Sequence, residues 1–124
     1  MMQSSDFKHL IVWQKAFNLV SKIYDLTRIL PEEEKFGLFS QMRRCAVSIP
    51  SNIAEGQGRY HKREFVHFLH FARGSAAELE TQLLICLDQG YVSKDCCETL
   101  IKKINEVSLL IVRLINSLEN NPKT

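Results

Sequence analysis

Apolar residues recur every three or four positions in four successive blocks of this 124-residue chain, and this spacing constrains the fold more than any other feature. The four series begin at Val12, Phe39, Phe65 and Cys97. Such spacing places the apolar side chains on one face of an α-helix, and no competing alternation typical of a β-strand occurs. Because only short turns separate the blocks, we predict an all-α fold, an up-down-up-down antiparallel four-helix bundle.

The predicted helices belong to one domain that spans residues 1–124. Pro31 and the three glutamates after it suit the start of the second helix, and Gly56 suits a left-handed cap at its end. Gly90 is predicted to stop the third helix, and Ser93 to cap the fourth. Residues 120–124 are expected to fray. The helices are predicted at about residues 9–29, 31–56, 61–89 and 93–119.

The second apolar series keeps its phase across Pro50. Proline removes one intrahelical hydrogen bond and clashes with the carbonyl group four residues earlier, here that of Ala46. We therefore predict that the second helix is kinked at Pro50 rather than ended there. The side chains that would offer the freed backbone groups new partners are those of Ser48, Ser51 and Asn52.

The first and fourth helices are more apolar than one bundle core requires. The fourth helix has five apolar residues among positions 107–112, and the first carries a second stripe beside its core series. A soluble monomer rarely leaves so large an apolar patch in water, so we predict a homo-oligomer. A broad core face with a few scattered exposed leucines is the alternative. The second stripe consists of Trp13, Phe17, Val20, Tyr24 and Thr27.

The N-terminus lacks the basic head and apolar run of a signal peptide, and no apolar run approaches the about 20 residues that span a bilayer. We expect a cytoplasmic protein with no membrane segment. The four cysteines, Cys45 among them, show no CxxC spacing and are interpreted as small core residues in a reducing compartment. A zinc site built with one histidine is the alternative for Cys86, Cys96 and Cys97.

The chain offers little that would support catalysis. Glu64 and His67 have the Glu-x-x-His spacing of di-iron bundles, but no second copy of that motif occurs. Glu55, beside the predicted kink, is interpreted as a solvated or salt-bridged residue rather than a general base. No nucleophile elbow, phosphate loop or dinucleotide motif is present. We predict a non-enzymatic protein with no metal and no cofactor.

The excess positive charge lies in the middle of the chain. Residues 41–75 contain six Lys or Arg and two Glu, whereas residues 1–40 are neutral and residues 76–124 carry a net charge of −2. Antiparallel packing is expected to place the first two of these cations beside the last one, in a stripe that binds the phosphates of RNA or DNA. The alternative is an ordinary charged face paired with acidic residues of the first and fourth helices. The six predicted nucleic-acid-binding residues are Arg43, Arg44, Arg59, Lys62, Arg63 and Arg73.

Several segments resemble one known family: VWQKA at 12–16, GLFSQMRRCAVSIPSNIAEGQGR at 37–59, EF at 64–65 and GSAAELETQL at 74–83. They are similar to the bacterial four-helix bundle proteins associated with intervening sequences of 23S ribosomal RNA genes. That family is itself distantly similar to the accessory variability determinant of diversity-generating retroelements. The match spans about residues 7–118, with Cys45 where the family most often has alanine.

The resemblance implies an antiparallel bundle that assembles as a homopentamer and has no catalytic residues. It leaves the biochemical role undefined, although the family's gene context favours nucleic acid as a partner. Our first hypothesis is therefore an oligomeric bundle that binds RNA or DNA without reading its sequence. The alternative is a protein-interaction scaffold that binds no nucleic acid, with an unknown protein partner, and a metal-dependent enzyme is the remaining class.

Overall fold

The computed structural model describes residues 6–120, and within them the only regular structure is helical. The all-α prediction is therefore confirmed, and the contacts between the helices are those of a bundle. Short 3-10 helices precede α1 and α2, at Asp6–His9 and Glu32–Glu34. The four α-helices are α1 at Ile11–Arg28, α2 at Leu38–Gln57, α3 at Lys62–Asp88 and α4 at Lys94–Glu119.

The core consists of the side chains that the apolar spacing selects. Every residue of the predicted apolar series in α2 and α3 is buried. The series of the first and fourth helices are also buried, except for Leu30 at the end of the first series and Leu114 and Leu118 at the end of the fourth, which are half-buried. Each fully buried Leu, Ile or Met side chain stabilises the fold by roughly 1.5–3 kcal/mol. The centre of the core is formed by Leu19, Ile23, Met42, Ile49, Ile53, Leu69, Leu79, Leu83, Ile104 and Ile111.

The contacts between α2 and α3 run in reverse order along the two helices. Met42, near the start of α2, meets Cys86 near the end of α3, with 3.6 Å between the sulfur atoms. Gly56, at the end of α2, lies against Phe65 in the first turn of α3. These two helices therefore pack antiparallel, as predicted. The alternating direction of all four helices and the kink at Pro50 stay predictions.

Helix α2 begins later than the sequence predicts. Pro31 and the three glutamates form a 3-10 turn, and the α-helix starts only at Leu38. Gly37 has φ −104° and ψ −106°, which is not helical, so it separates the two segments. The Glu34 carboxylate accepts a hydrogen bond from the backbone N–H of Leu38 at 3.3 Å. This glutamate therefore caps the helix rather than extending it.

Pro50 is buried inside α2, and the polar side chains around it bond to backbone groups. The Asn52 amide donates to the carbonyl of Ser48 at 2.8 Å, and the Ser48 hydroxyl lies 2.6 Å from the carbonyl of Cys45. The same hydroxyl contacts the Ser75 hydroxyl on α3 at 2.6 Å. Two of the three predicted side chains therefore bond backbone carbonyls near the proline, but neither of these bonds is to the carbonyl of Ala46 that the proline frees. The Ser48 hydroxyl also links α2 to α3.

Gly56 does not end α2 in a left-handed conformation, which corrects the prediction made for it. The helix continues to Gln57, and within residues 6–120 the only glycine with positive φ is Gly90, at 77°. A Cβ on Gly56 would lie 2.8 Å from atoms of both Phe65 and Phe68. This glycine is therefore required by the close approach of α2 and α3 and not by the backbone angle.

The turn between α3 and α4 follows the prediction. The backbone N–H of Tyr91 donates to the carbonyl of Cys86 at 2.8 Å, and that of Gly90 donates to Leu87 at 3.1 Å. These two bonds define a Schellman motif. The Ser93 hydroxyl then accepts a hydrogen bond from the backbone N–H of Cys96 at 3.1 Å, so both predicted boundary residues are confirmed. Fraying was predicted at 120–124. The backbone N–H of Asn120 donates to the carbonyl of Asn116 at 3.0 Å, and residues 121–124 lie outside the described residues.

Candidate nucleic-acid interface

Arg43 is held against α1 rather than extended into solvent. Its Nε donates a hydrogen bond to the Thr27 hydroxyl at 2.6 Å, and its guanidinium lies 4.8 Å from the ring centre of Tyr24. The side chain is half-buried. Because a guanidinium has five N–H groups, four remain for another partner. The contact with the Tyr24 ring helps to hold the guanidinium in place.

Arg44 is exposed on the adjacent position of α2, where its guanidinium donates to the Ser40 hydroxyl at 2.8 Å. It lines an open groove of about 680 Å³ between α1, α2 and the connection before α2. We call this hollow the basic groove, since its lining contains three cations and no carboxylate. The lining residues are Tyr24, Lys35, Phe36, Ser40, Arg43, Arg44, Val47 and Ser48.

Lys35 in this groove is absent from the predicted set of cations. It directly follows three glutamates, so a count of charges along the chain cancels it. In the structure Glu34 turns toward the connection between α3 and α4, where its carboxylate accepts a hydrogen bond from the Tyr91 hydroxyl at 3.1 Å. Lys35 lines the groove instead. Only the fold separates this lysine from Glu34, whereas Glu32 lines an adjoining hollow with it.

A second group of predicted residues surrounds the turn from α2 to α3. The Arg59 guanidinium forms ion pairs with Glu55 at 2.9 Å and Glu64 at 3.7 Å, and it covers the Phe68 ring at 5.1 Å. Its charge is therefore compensated within the bundle. Lys62 is half-buried in the first turn of α3.

Arg63 follows Lys62 and is exposed. It lines a hollow beside the carboxylate-bearing residues Glu64 and Glu119 and two histidines, His67 and His70. The surface around this arginine is therefore mixed in charge, in contrast to the basic groove.

Arg73 does not lie beside the α2 arginines. The α3 residue at that level is Ser75, whose carbonyl accepts a hydrogen bond from the Cys45 thiol at 3.0 Å. Residues two positions apart on an α-helix point about 160° away from each other, so Arg73 faces away from α2. The distance along α2 from Arg44 to the helix end at Gln57 is about 20 Å. The six predicted residues therefore occupy three separate places rather than one stripe.

Few of these cations are neutralised by neighbouring carboxylates. Among the five predicted arginines, Arg59 alone forms an ion pair within residues 6–120. The remaining four have no carboxylate oxygen within 4.0 Å in that range. The charged-face alternative required these arginines to pair with acidic residues of α1 and α4. The four unpaired arginines are Arg43, Arg44, Arg63 and Arg73.

The thiols are poorly suited to chemistry. Burial raises the pKa of Cys45 to about 12, and the nearby charge of Glu78 adds to this shift. Burial likewise raises the pKa of Cys86 to about 11 and also raises the pKa of Cys97. Because the thiolate is the form that attacks substrates and binds metals, these cysteines are unreactive near neutral pH.

The residues considered for metal binding or base catalysis have other contacts. His67 packs edge-on against Phe71, with 4.5 Å between the ring centres. Glu64 and Glu55 both pair with Arg59. Across residues 6–120, no three His, Cys, Asp or Glu side chains come together as a metal site.

The surplus apolar residues are partly exposed. In α1, Ile11 is 62% and Phe17 56% exposed, although Trp13 packs against Phe17 at 5.1 Å between ring centres. In α4, Leu109 is 50% exposed, whereas Val107 and Ile111 are buried. Much of the second stripe is therefore covered within one chain, and single large side chains remain in contact with water.

None of the helices in residues 6–120 combines the length and the hydropathy needed to cross a bilayer. No relative was found among curated proteins. The fold is similar to the crystal structure of a protein of unknown function from the S23 ribosomal protein family of Bacteroides thetaiotaomicron. The two chains are 25% identical, with a TM-score of 0.80 over 86% of this chain and 96% of that one.

The family comparison covers most of the bundle. Residues 8–113, from before the first turn of α1 to near the end of α4, match the family model described as 23S rRNA-intervening sequence protein. The SQMRRCAVSIPSNIAEG segment forms the buried α2–α3 contact and one wall of the basic groove. The chain belongs to the 23S rRNA-intervening sequence protein family.

Proposed function

We propose that this protein is a non-enzymatic, cytoplasmic, homopentameric helical bundle that binds nucleic acid through basic residues of α2 and α3. One observation carries the proposal. Arg44, Arg63 and Arg73 are exposed, and within residues 6–120 none has a carboxylate oxygen within 4.0 Å. Exposed cations whose charge is not paired with a carboxylate are available to neutralise phosphates.

Binding of this kind depends on the phosphate backbone and not on base sequence. Each Lys or Arg that contacts a phosphate releases condensed counterions, so affinity falls as salt is added. The net charge of one chain is only +2. Assembly of several copies would multiply the basic surface, strengthen the positive potential and allow one strand to contact more than one subunit.

Exposed apolar side chains support the assembly. Ile11, Phe17 and Leu109 are each at least half exposed. Their burial between subunits would remove apolar surface from water, which is the main driving force for association. The homopentamer itself is implied by the family resemblance, and measurement of the solution mass by native mass spectrometry tests it. A monomer at micromolar concentration would contradict this part of the proposal.

A scaffold that binds another protein is the second candidate function. The exposed aromatic rings of Phe17 and Phe71 favour it, because aromatic side chains often anchor protein interfaces. A protein of this kind would bind no nucleic acid even at low salt. A measurement of nucleic-acid binding at low salt therefore distinguishes the two candidate functions.

The test compares two double charge reversals by fluorescence anisotropy with labelled RNA and DNA at low salt. Arg44→Glu with Arg73→Glu removes two exposed cations that have no carboxylate partner, one in the basic groove and one on α3. Lys102→Glu with Arg113→Glu is the matched control, since both residues are exposed on α4. We expect the first variant to bind at least about tenfold more weakly and the control to stay within about twofold of the parent. Equal effects of both variants, or no binding by the parent protein, would overturn the proposal.

A further inference from the structure

The basic groove combines features that the other exposed cations lack. Lys35, Arg43 and Arg44 line it together, and its eight lining residues include no Asp or Glu. Lys35 and Arg43 also line an adjoining hollow, which contains one carboxylate-bearing residue, Glu32, together with the cation Arg28. The hollow around Arg63, by comparison, contains two glutamates. The basic groove is thus the site of uniform positive charge among these surfaces.

Phe36 lies at this groove with its ring almost fully in water. It is 89% exposed, more than any other large apolar residue in the described part of the chain. Its protein contact in the groove is with Lys35, whose ammonium lies 5.6 Å from the ring centre. A phenylalanine in this position adds little to the stability of the bundle. The face of its ring away from the Lys35 ammonium is available to a planar partner.

The cations beside Phe36 are partly fixed before any ligand arrives. Arg43 is held by Thr27 and by the Tyr24 ring, and Arg44 is held by Ser40. Ordering these side chains in advance reduces the entropy lost on binding. The groove therefore presents two positioned guanidinium groups and one exposed aromatic ring side by side.

We infer that the basic groove binds an unpaired stretch of single-stranded nucleic acid, in which a base stacks on Phe36 and the adjacent phosphates contact Lys35, Arg43 and Arg44. This inference rests on the proposed function and specifies the form of nucleic acid. Proteins that bind single strands combine a positively charged groove with aromatic platforms for successive bases. In a duplex the bases already stack on each other, so the Phe36 ring would gain nothing.

The experiment measures how the full-length protein binds a labelled single-stranded homopolymer, as RNA and as DNA, and a duplex of matched length. Phe36→Ala is compared with Phe36→Trp, which retains a stacking surface. Phe71→Ala is the control, because it removes an exposed aromatic ring from α3 outside the groove. Circular dichroism checks that each variant remains helical.

We expect Phe36→Ala to weaken single-strand binding about tenfold at every salt concentration, with the salt slope unchanged, because stacking involves no counterion release. Duplex binding should change less than twofold, and Phe36→Trp should bind single strands at least as well as the parent. Comparison of the RNA and DNA arms identifies which single strand is preferred. If the parent binds nucleic acid and Phe36→Ala binds single strands equally well, the inference is wrong and the proposed function stands. If the parent binds neither form, both fail.

Discussion

The Arg43 Nε donates to the Thr27 hydroxyl oxygen at 2.6 Å, and this bond joins α2 to α1 at the wall of the basic groove. The same hydroxyl donates to the carbonyl of Ile23 at 2.9 Å, so both of its hydrogen-bonding roles are filled. Thr27 is buried, although it belongs to the second stripe of α1. One residue read as surplus apolar surface is thus the polar anchor of a predicted nucleic-acid-binding arginine.

Replacement of Thr27 by valine tests this anchor. Thr27→Val keeps the shape of the side chain but leaves Arg43 without its acceptor in a half-buried position. We expect the free energy of unfolding to fall by about 1–3 kcal/mol, as is typical of hydrogen bonds to charged groups. Urea denaturation measures this change. Thr81→Val is the control, because the exposed Thr81 hydroxyl bonds the carbonyl of Ala77 in its own helix. This substitution should change the free energy of unfolding by no more than about 0.5 kcal/mol. Equal effects of the two substitutions would contradict the anchoring role.

Two glycine substitutions should change stability in opposite directions. Gly56→Ala would place a methyl group 2.8 Å from atoms of Phe65 and Phe68, so it must push α2 and α3 apart. We expect a loss of about 1–3 kcal/mol from this overpacking. Gly74→Ala is the matched change in α3, where the added Cβ meets nothing within 4 Å. Alanine's higher helix propensity should there raise stability by about 0.5–1 kcal/mol. Thermal denaturation measures the stability of both variants. A Gly56→Ala protein more stable than the parent would contradict the close packing of α2 against α3 at this glycine.

The buried thiols predict a loss of stability in alkaline solution. The pKa of Cys45 is raised from 9.0 to about 12, and that of Cys86 from 9.0 to about 11. Above pH 9 the unfolded chain releases protons that the folded chain retains, so the stability present below pH 9 is lost as pH rises. Linkage gives a loss on the order of 1 kcal/mol for each thiol at pH 10.

A variant without the Cys45 thiol isolates this contribution. Cys45→Ala removes one titrating group, so the fall in unfolding free energy between pH 8 and pH 10 should be on the order of 1 kcal/mol smaller than in the parent. Urea denaturation at the two pH values provides the comparison. An identical fall in both proteins would show that the Cys45 thiol titrates alike in the folded and unfolded chains.

The sequence predicted the helices well because burial follows a simple period. Residues such as Leu69 and Ile104 lie in core positions that spacing alone identifies. The start of α2 was predicted too early because Pro31 and the three glutamates after it suit the start of an α-helix and the start of a short 3-10 helix equally well. In the structure they form a 3-10 helix, and α2 begins only after Gly37. The prediction for Gly56 was wrong because glycine occurs both at left-handed helix caps and where two helices pack closely, and the sequence does not distinguish these two roles. Only the neighbouring α3 distinguishes the two roles.

The candidate site was predicted less completely, for a geometric reason. A cluster of charge along the chain does not determine which faces of two helices carry it, and Arg73 lies on the face of α3 that points away from α2. Sequence also cannot show that Glu34 turns to Tyr91 while Lys35 lines the groove. Charge counting located the excess of basic residues, and the fold divides them among three places.

The salt dependence of nucleic-acid binding tests the central claim most directly. The logarithm of the association constant is measured against the logarithm of salt concentration, for the parent, Arg44→Glu and the exposed α4 control Arg113→Glu. We predict a linear fall for the parent, a slope shallower by about 0.7 for Arg44→Glu with a single strand, and an unchanged slope for the control. An affinity that does not depend on salt, or the same slope in all three proteins, would contradict binding through these cations.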